Sequence, residues 1–273
     1  MANTINWGQA AVENTIDYGQ GATDNTISWG KSQTLSPSGE TNITGAGGTP
    51  AFTNTLSTTF DGTDDFVNVG NNASLQPSNF TMCVWVKPNT NNSNRVLIHN
   101  GAGLYGNTNH GFFLQQSYAN YYFKIGDGTT SYTSFNGGLV PNTWQFVAMA
   151  YDGVNMKTYL DGILQDTLAV PNITYGTSAT WNPFYIGRTS GGSQYMNGNI
   201  DEVSLFNTEL SQSDITSIYN SGTPTDLTSY SPLGWWRMGD GSTYPTINDL
   251  GSGSNNGTMT NMSSANFVTD VPT

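Results

Sequence analysis

The chain has 273 residues and a formal net charge of −12, with only seven Lys and Arg residues. Nucleic acids and anionic lipids are bound by clusters of basic side chains, so this charge argues against both kinds of partner. No run of residues approaches the ~18 apolar positions of a membrane-spanning helix. The 36% of hydrophobic residues is nevertheless enough to build a folded core.

Residues 1–30 contain a repeat with a period of eleven residues, in which Asn-Thr-Ile is followed by a polar residue, an aromatic residue and Gly. The Ile and the aromatic residue are two positions apart, so they share one face of an extended segment. Three such units are too small to bury these side chains by themselves. We therefore predict a docking or assembly arm, the alternative being a strand-turn segment packed on its own domain. The predicted docking residues are Ile5, Trp7, Ile16, Tyr18, Ile27 and Trp29.

Residues 31–51 are rich in Ser, Gly, Pro and Thr, which is typical of a flexible linker. From residue 52 onward, short segments alternate apolar and polar residues and stop at turn residues, as half-buried strands do. In Phe80–Val86 the even-numbered residues face one side of the strand and the odd-numbered residues the other. Asp161-Gly162 predicts a tight hairpin. Many short strands at this spacing predict a β-sandwich or jelly roll.

One helix is predicted after these strands. Ser211 can cap its N-terminus, and Asp214 three residues later completes a pattern close to a capping box. The apolar residues within Ile215–Tyr219 then share one face, and Gly222 can end the helix.

Several segments carry a family resemblance: Leu56–Val67, Phe80–Pro88, Trp144–Gly153, Gly198–Val203 and the helix with its Tyr-Asn-Ser-Gly ending. In their order and residue pattern they resemble the laminin-G-like branch of the concanavalin A-like lectins, over residues 52–222. The resemblance implies an all-β, concanavalin A-like jelly-roll sandwich with one short helix. The repeat arm would be an extended N-terminal addition to it.

Residues 223–273 form a C-terminal extension that contains Gly234–Asp240 and Asn255–Asn261. In the family this pair of segments usually precedes the Phe-Asp-Gly strand, whereas here it follows the whole domain. Either the fold is circularly permuted and this extension completes the sandwich, or it is a remnant of another copy. We favour the first, because Trp235 and Trp236 need burial and chain ends often lie close together.

No recognisable catalytic set is present, and we predict that the protein is not an enzyme. Laminarinase-like glucanases of this fold carry carboxylates on alternating positions of one strand. Asp201 and Glu202 are adjacent instead, which places them on opposite faces of a regular strand. A retaining pair needs two carboxyl groups about 5 Å apart on one cleft.

A calcium site is a further hypothesis, because Ca²⁺ prefers carboxylate and carbonyl oxygens. By the family resemblance, Asp61 and Asp201 are the expected ligands near the rim, with Asp64, Asp65 and Asp152 as weaker candidates. The alternative is that Asp61 and Asp152 only initiate Asp-Gly turns, for which Asp is favoured without any metal.

Sugar binding would use exposed aromatic rings that stack on pyranose faces, together with amide hydrogen bonds. Trp181, and Tyr195 with the nearby Asn197, are the predicted carbohydrate-binding residues. The alternative is that these rings only cover the sandwich.

These features predict a non-enzymatic structural protein of a tailed-bacteriophage virion. The repeats resemble segments at the amino ends of phage structural proteins, and the first residues lack the pattern of a secretory signal. The arm would bind capsid or tail proteins, either as capsid decoration or as a tail or fibre component. The jelly roll would then adhere weakly to host-surface glycans, with avidity from a homo-oligomer such as a trimer. The alternatives are an exported cellular adhesin or carbohydrate-binding module and, less favoured, a glycoside hydrolase.

Overall fold

The computed structural model describes residues 52–101, 109–176 and 183–273, which form two antiparallel sheets and one α-helix. Numbered in chain order, the strands are β1 Ser57–Asp61, β2 Phe66–Gly70, β3 Phe80–Pro88, β4 Asn94–Asn100, β5 His110–Ser117, β6 Asn120–Asp127, β7 Ser131–Gly137, β8 Gln145–Tyr151, β9 Asn155–Leu160, β10 Ile163–Ala169, β11 Phe184–Ile186, β12 Asn197–Phe206, β13 Gly234–Trp236, β14 Thr246–Ile247, β15 Gly257–Thr260 and β16 Phe267–Val268, and the helix is α1 Gln212–Tyr219. The predicted jelly-roll sandwich with one short helix is confirmed.

The first sheet has the order β10-β9-β8-β3-β12-β1-β16, and β13 also pairs with β12. The second sheet has the order β14-β15-β2-β11-β4-β5-β6-β7. The repeat arm, its six predicted docking residues and the linker lie outside the described residues, so they stay predictions.

The main core lies between the two sheets. On β3, Met82, Val84 and Val86 point into this core, as the alternation predicts. Cys83 and Trp85 point the other way, into a second apolar cluster that α1 covers on the outer face of the first sheet.

The helix begins with the predicted capping box. The Ser211 side chain accepts a hydrogen bond from the Asp214 backbone N–H, and the Asp214 carboxylate accepts one from the Ser211 N–H at 3.0 Å. The helix ends at Tyr219, before Gly222, because Asn220 supplies the left-handed C-cap with φ +46°. No helix among the described residues has the length and apolarity to cross a bilayer.

The C-terminal extension contributes strands to both sheets: β13 pairs with β12, β16 with β1, and β15 with β2. Trp236 on β13 is fully buried, with its ring centroid 5.3 Å from that of Phe184. Its indole N–H donates to the backbone oxygen of Asn255 at 2.8 Å. The extension is therefore packed into the core between the sheets.

A buried ionic cluster, made of Asp201, Glu202, Arg237 and Asp240, lies where β12 meets β13. A β-bulge interrupts β12 between Asp201 and Ser204, and Glu202 within it has φ +45°. Both adjacent carboxylates are buried, and Glu202 is bound by Arg237 Nε at 2.8 Å. Burial, followed by repulsion from Glu202, raises the pKa of Asp201 well above its ordinary value. Burial also raises the pKa of Glu202 to about 7, although the Arg237 charge opposes this shift.

The same cluster holds the beginning of the described chain. The Asn54 amide donates to Asp201 at 2.8 Å, and the Thr55 backbone N–H donates to Asp240 at 2.7 Å. The Arg237 guanidinium lies 4.3 Å from the centre of the Phe52 ring. Residues near both ends of the domain therefore meet around one set of buried charges.

Replacing Trp236 by Ala should lower the free energy of unfolding by about 3–5 kcal/mol, because it removes a fully buried ring from the core. The control is Leu250→Ala, at a side chain in the same extension that is 48% exposed. Surface substitutions of this kind usually change stability by less than about 0.5 kcal/mol. Urea unfolding followed by circular dichroism measures both variants. Equal midpoints would mean that the extension does not contribute to the folded core.

The ionic cluster should make the fold less stable as the pH rises. An acid whose pKa is higher in the folded state stabilises the fold below its unfolded pKa, and this stabilisation is lost as the pH rises through the folded pKa. For Glu202 the window runs from 4.5 to about 7, and Asp201 acts in the same direction. We expect the melting temperature to fall across this window.

In the Asp201→Asn variant this fall should be smaller, because the amide keeps the side-chain shape and carries no charge. Scanning calorimetry at a series of pH values measures the slope, with Asp166→Asn, at an exposed carboxylate outside the cluster, as the matched control. Parallel curves for the wild type and Asp201→Asn would contradict this account of the cluster.

Candidate functional site

Aromatic side chains line the outer face of the second sheet, which points away from the core. On β5, Phe112 and Leu114 point into the core, so Phe113 between them points outward. On β6, Tyr121 points into the core and Tyr122 points outward. We call the outward set the outer aromatic row, and from strand to strand it consists of Phe66, Tyr185, His99, Phe113, Tyr122 and Phe135.

Neighbouring rings in this row meet edge to face. The distances between ring centroids are 5.7 Å for Phe66–Tyr185, 5.5 Å for His99–Phe113, 6.4 Å for Phe113–Tyr122 and 4.6 Å for Tyr122–Phe135. Phe113 is fully buried, whereas Phe135 on β7 is 59% exposed. The row therefore opens to solvent at its β6–β7 end.

Polar groups accompany the exposed end of the row. Lys124 and Thr133 are register partners on β6 and β7, two pairs along from Tyr122 and Phe135 and therefore on the same face. The Tyr122 hydroxyl lies 3.3 Å from the Thr133 hydroxyl. Partial burial lowers the pKa of Lys124 from its ordinary value. This end of the face combines two rings, two hydroxyls and an amine.

A guanidinium caps the opposite end of the row. Arg188 follows β11, and its Cζ lies 4.3 Å from the centre of the Phe66 ring and 4.2 Å from that of Tyr185. Such stacking stabilises a cation by roughly 0.5–2 kcal/mol. The Arg188 Nε also donates to the backbone oxygen of Thr189 at 3.0 Å, which fixes the plane of the group.

The turn between β1 and β2 concentrates negative charge beside this end of the row. Carboxylate oxygens of Asp61, Asp64 and Asp65 lie within 4.8 Å of one another. Asp61 Oδ1 accepts hydrogen bonds from the backbone N–H groups of Thr63, at 2.7 Å, and Asp64. Burial, and then the charges of Asp61 and Asp64, raise the pKa of Asp65. We call these three residues the acidic turn.

Arg95 joins the acidic turn to the loop that follows β11. Its Nη1 donates to the backbone oxygens of Gly62, at 2.8 Å, and Tyr195, at 3.0 Å. Asn197 is the register partner of Asp61, and its Cβ packs over Gly62. A Cβ at position 62 would lie 2.8 Å from the Asn197 Cβ, so a side chain there would not fit. The predicted ligand Asp61 and the predicted sugar-binding residues Tyr195 and Asn197 therefore lie at one rim.

A sequence profile described as "Concanavalin A-like lectin/glucanases superfamily", of laminin G type, matches residues 61–216. The chain belongs to this superfamily. The match runs from the acidic turn into α1, and the expected resemblance is thereby confirmed.

The superfamily match is accompanied by likenesses to individual proteins. Adhesion G-protein coupled receptor V1 of Danio rerio is 28% identical over 161 residues, which is 55% of this chain and 2% of the receptor. A candidate carbohydrate-binding protein from Bacteroides ovatus has a TM-score of 0.60 at 18% identity, covering 81% of this chain and 62% of that one. The CBM40 of the Ruminococcus gnavus IT-sialidase, bound to α2,3 sialyllactose, has a TM-score of 0.48 at 17% identity, covering 60% and 97%. The chain thus spans only a small part of the receptor, and the structural likenesses concern the fold.

Within this superfamily fold, Asp201 does not lie at the acidic turn. Asp61 pairs with Asn197, four residues before Asp201, which corresponds to about 13 Å along a strand. Asp201 is fully buried, and its carboxylate binds Asn54. Asp64 and Asp65, the weaker candidates, accompany Asp61 instead.

Two further predicted residues, Asp152 and Trp181, are not part of the acidic turn among the described residues. Asp152 accepts hydrogen bonds from the backbone N–H groups of Val154 and Asn155 at 2.7 and 2.6 Å, which is the turn-forming role. Trp181 lies outside the described residues.

The sequence analysis missed the outer aromatic row and Arg188. The available signal was the alternation along β5 and β6, where one of two adjacent aromatic residues must point outward. Phe112 with Phe113 and Tyr121 with Tyr122 both show it. Arg188 was not singled out, because Phe66, one of its two stacking partners, comes from β2, far away in the sequence.

Proposed function

We propose that the protein is a non-catalytic carbohydrate-binding module that holds sugars on the outer aromatic row. The observation that carries this proposal is the open end of the row, where Tyr122 and the exposed Phe135 stand beside Thr133 and Lys124. Sugar sites combine aromatic surfaces with a few polar groups that fix orientation. Here rings, hydroxyl and amine converge on one face of a rigid sheet.

The similar proteins support this direction. The Bacteroides ovatus structure is of a candidate carbohydrate-binding protein, and the Danio rerio relative is an adhesion receptor. Both descriptions suit a domain that recognises a surface rather than one that performs a reaction.

The arrangement of carboxylates supports a non-catalytic role. Glu202 is bound by Arg237 and by the Trp235 indole N–H, and Asp201 is fully buried. The cavity beside Glu202 has a volume of about 10 Å³, which suits a single water molecule. A sugar cannot approach this pair of carboxylates in the way that a glycosidase requires.

The placement of the module in a virion is also a proposal, and it rests on the N-terminal repeats. In this arrangement the arm binds capsid or tail proteins, and several copies of the sandwich display weak sites for host-surface glycans. An oligomer such as a trimer would multiply the affinity of each weak site. The same sugar-binding face would serve an exported cellular adhesin equally well.

Replacing Phe135 by Ala should weaken glycan binding about fivefold, because a stacked ring contributes on the order of 1 kcal/mol. A glycan array identifies the ligands, and titration calorimetry with the best of them measures the change. The control is Tyr118→Asn, which removes a 60% exposed ring outside the row and suits the local φ of +52°. Unchanged binding by Phe135→Ala, or equal losses in both variants, would remove the row from the site.

We further propose that the acidic turn binds Ca²⁺. Asp61 and Asp65 each use one carboxylate oxygen for hydrogen bonds to the turn, so their other oxygens and those of Asp64 suit a hard cation. Burial, and then repulsion from Asp61 and Asp64, raise the pKa of Asp65, and a cation would relieve the repulsion. Three carboxylates leave room for backbone carbonyls or water among the six to eight oxygens that Ca²⁺ takes.

Calcium should raise the melting temperature relative to chelator, corresponding to about 2.7 kcal/mol at a hundredfold excess over Kd. Asp64→Asn should reduce this increase, since it removes one charged ligand from an exposed position. Asp152→Asn, at a turn carboxylate outside the cluster, should keep it. A wild-type protein that melts at the same temperature with calcium and with chelator has no such site.

A further inference from the structure

Arg188 forms no ion pair with a carboxylate in the part of the chain that the structure describes. The ion pairs among the described residues join Lys87 to Asp270, Lys157 to Glu209, and Arg237 to Glu202 and Asp240. Arg188 takes part in none of these ion pairs. Its hydrogen bonds go to the backbone oxygens of Thr189 and, at 3.4 Å, Ser190 in its own loop. In a chain with a net charge of −12, such a cation is a notable feature.

The guanidinium is held in one orientation on the sheet. It stacks on both Phe66 and Tyr185, and the backbone acceptors engage its Nε and Nη2. Arg188 is partly exposed, and its hydrogen bonds in the described part of the chain use Nε and Nη2 and leave Nη1 without a partner. A planar fork that is fixed in this way matches the two oxygens of a carboxylate.

Arg95 gives the contrast that makes this assignment specific. Its guanidinium is also near the acidic turn, but it is used structurally, by bonds to Ser93, Gly62 and Tyr195. Of these two arginines, Arg95 binds the acidic turn, whereas Arg188 binds only its own loop and keeps Nη1 beside Tyr195.

A second observation on the same face also indicates a ligand. His99, the register partner of Tyr185, is 1% exposed, and its Nδ1 has no hydrogen-bond partner among the described residues. Burial, and then the positive charge of Arg188, lower the pKa of His99 to about 4. The imidazole is therefore neutral at neutral pH and can donate to or accept from a ligand. A buried polar atom without a partner is unfavourable, and an oxygen bound beside Arg188 would satisfy it.

The loop adds a further polar group. A Cβ placed on Gly192 would lie 3.5 Å from the Tyr195 hydroxyl and 3.9 Å from Arg188 Nη1. The phenol and the guanidinium thus flank the same turn, and both can contact one sugar.

We propose that Arg188 binds the carboxylate of an acidic sugar, so that the preferred glycans of this module carry uronic or sialic acids. The inference rests on the proposed sugar-binding function and specifies its ligand class. Phe66 and Tyr185 position the guanidinium, and His99 and Tyr195 offer hydrogen bonds to the same residue of the glycan.

The test compares carboxylated glycans with their methyl esters, which keep the shape and lose the charge. Titration calorimetry should find the acids bound about 10- to 100-fold more tightly than the esters by the wild type. Arg188→Gln should abolish this preference and leave the affinity for the esters unchanged. Arg188→Lys should recover part of it, because Lys keeps the charge and loses the planar fork.

Lys157→Gln is the matched control, since it removes a cation that is already paired, on the first sheet. Scanning calorimetry confirms that each variant is folded. Equal affinity of the wild type for acids and esters, with no effect of Arg188→Gln, would overturn the inference and leave the sugar-binding function standing. If neither acids, esters nor neutral glycans bind, the proposed function itself fails.

Discussion

The fold depends on the return of the C-terminal extension to the beginning of the domain. The ion pair between Glu202 and Arg237 lies at this junction, where β12 meets β13, and it is buried. A buried ion pair is favourable only when its other hydrogen bonds are satisfied. Here the Trp235 indole supplies one of them, and the Arg237 guanidinium lies over Phe52. The cluster therefore fixes which parts of the chain meet more than it adds stability.

The return of the C-terminal extension also supports the candidate site. β15 pairs with β2, the strand that begins with Phe66, so the extension holds one end of the outer aromatic row. The acidic turn is held from the same side, because Asn261 donates to the backbone oxygen of Asp64 and Asn266 donates to the Asp65 carboxylate. The acidic turn and β2 are thereby held in place by a segment that lies far along the chain.

Local sequence patterns predicted much of the fold. Alternation along β3 assigned its two faces correctly, and the Ser211 and Asp214 pattern marked the start of α1, because both signals act within a few residues. The end of α1 differed because Asn220 adopts the left-handed conformation before Gly222 is reached. Both Asn220 and Gly222 can adopt the left-handed conformation that ends a helix, and packing decides which of them does so.

The site was less accessible to prediction because it depends on long-range register. Asp61 and Asp201 looked equivalent in the sequence, but pairing with Asn197 and a bulge in β12 place them in different environments. Tyr121 and Tyr122 are the same residue type, and which one faces outward follows only from the pairing of β5, β6 and β7. The outer aromatic row is assembled from six strands, so no single segment of the sequence predicts it.

The central claim is that sugars bind on the outer face of the second sheet. The most direct measurement is an NMR titration with a glycan that the module binds, following assigned aromatic and arginine side-chain resonances. The account predicts saturable shifts at Tyr122, Phe135, Tyr185 and Arg188. Shifts confined to the opposite side of the molecule, around α1 and the β9–β10 hairpin, would contradict it.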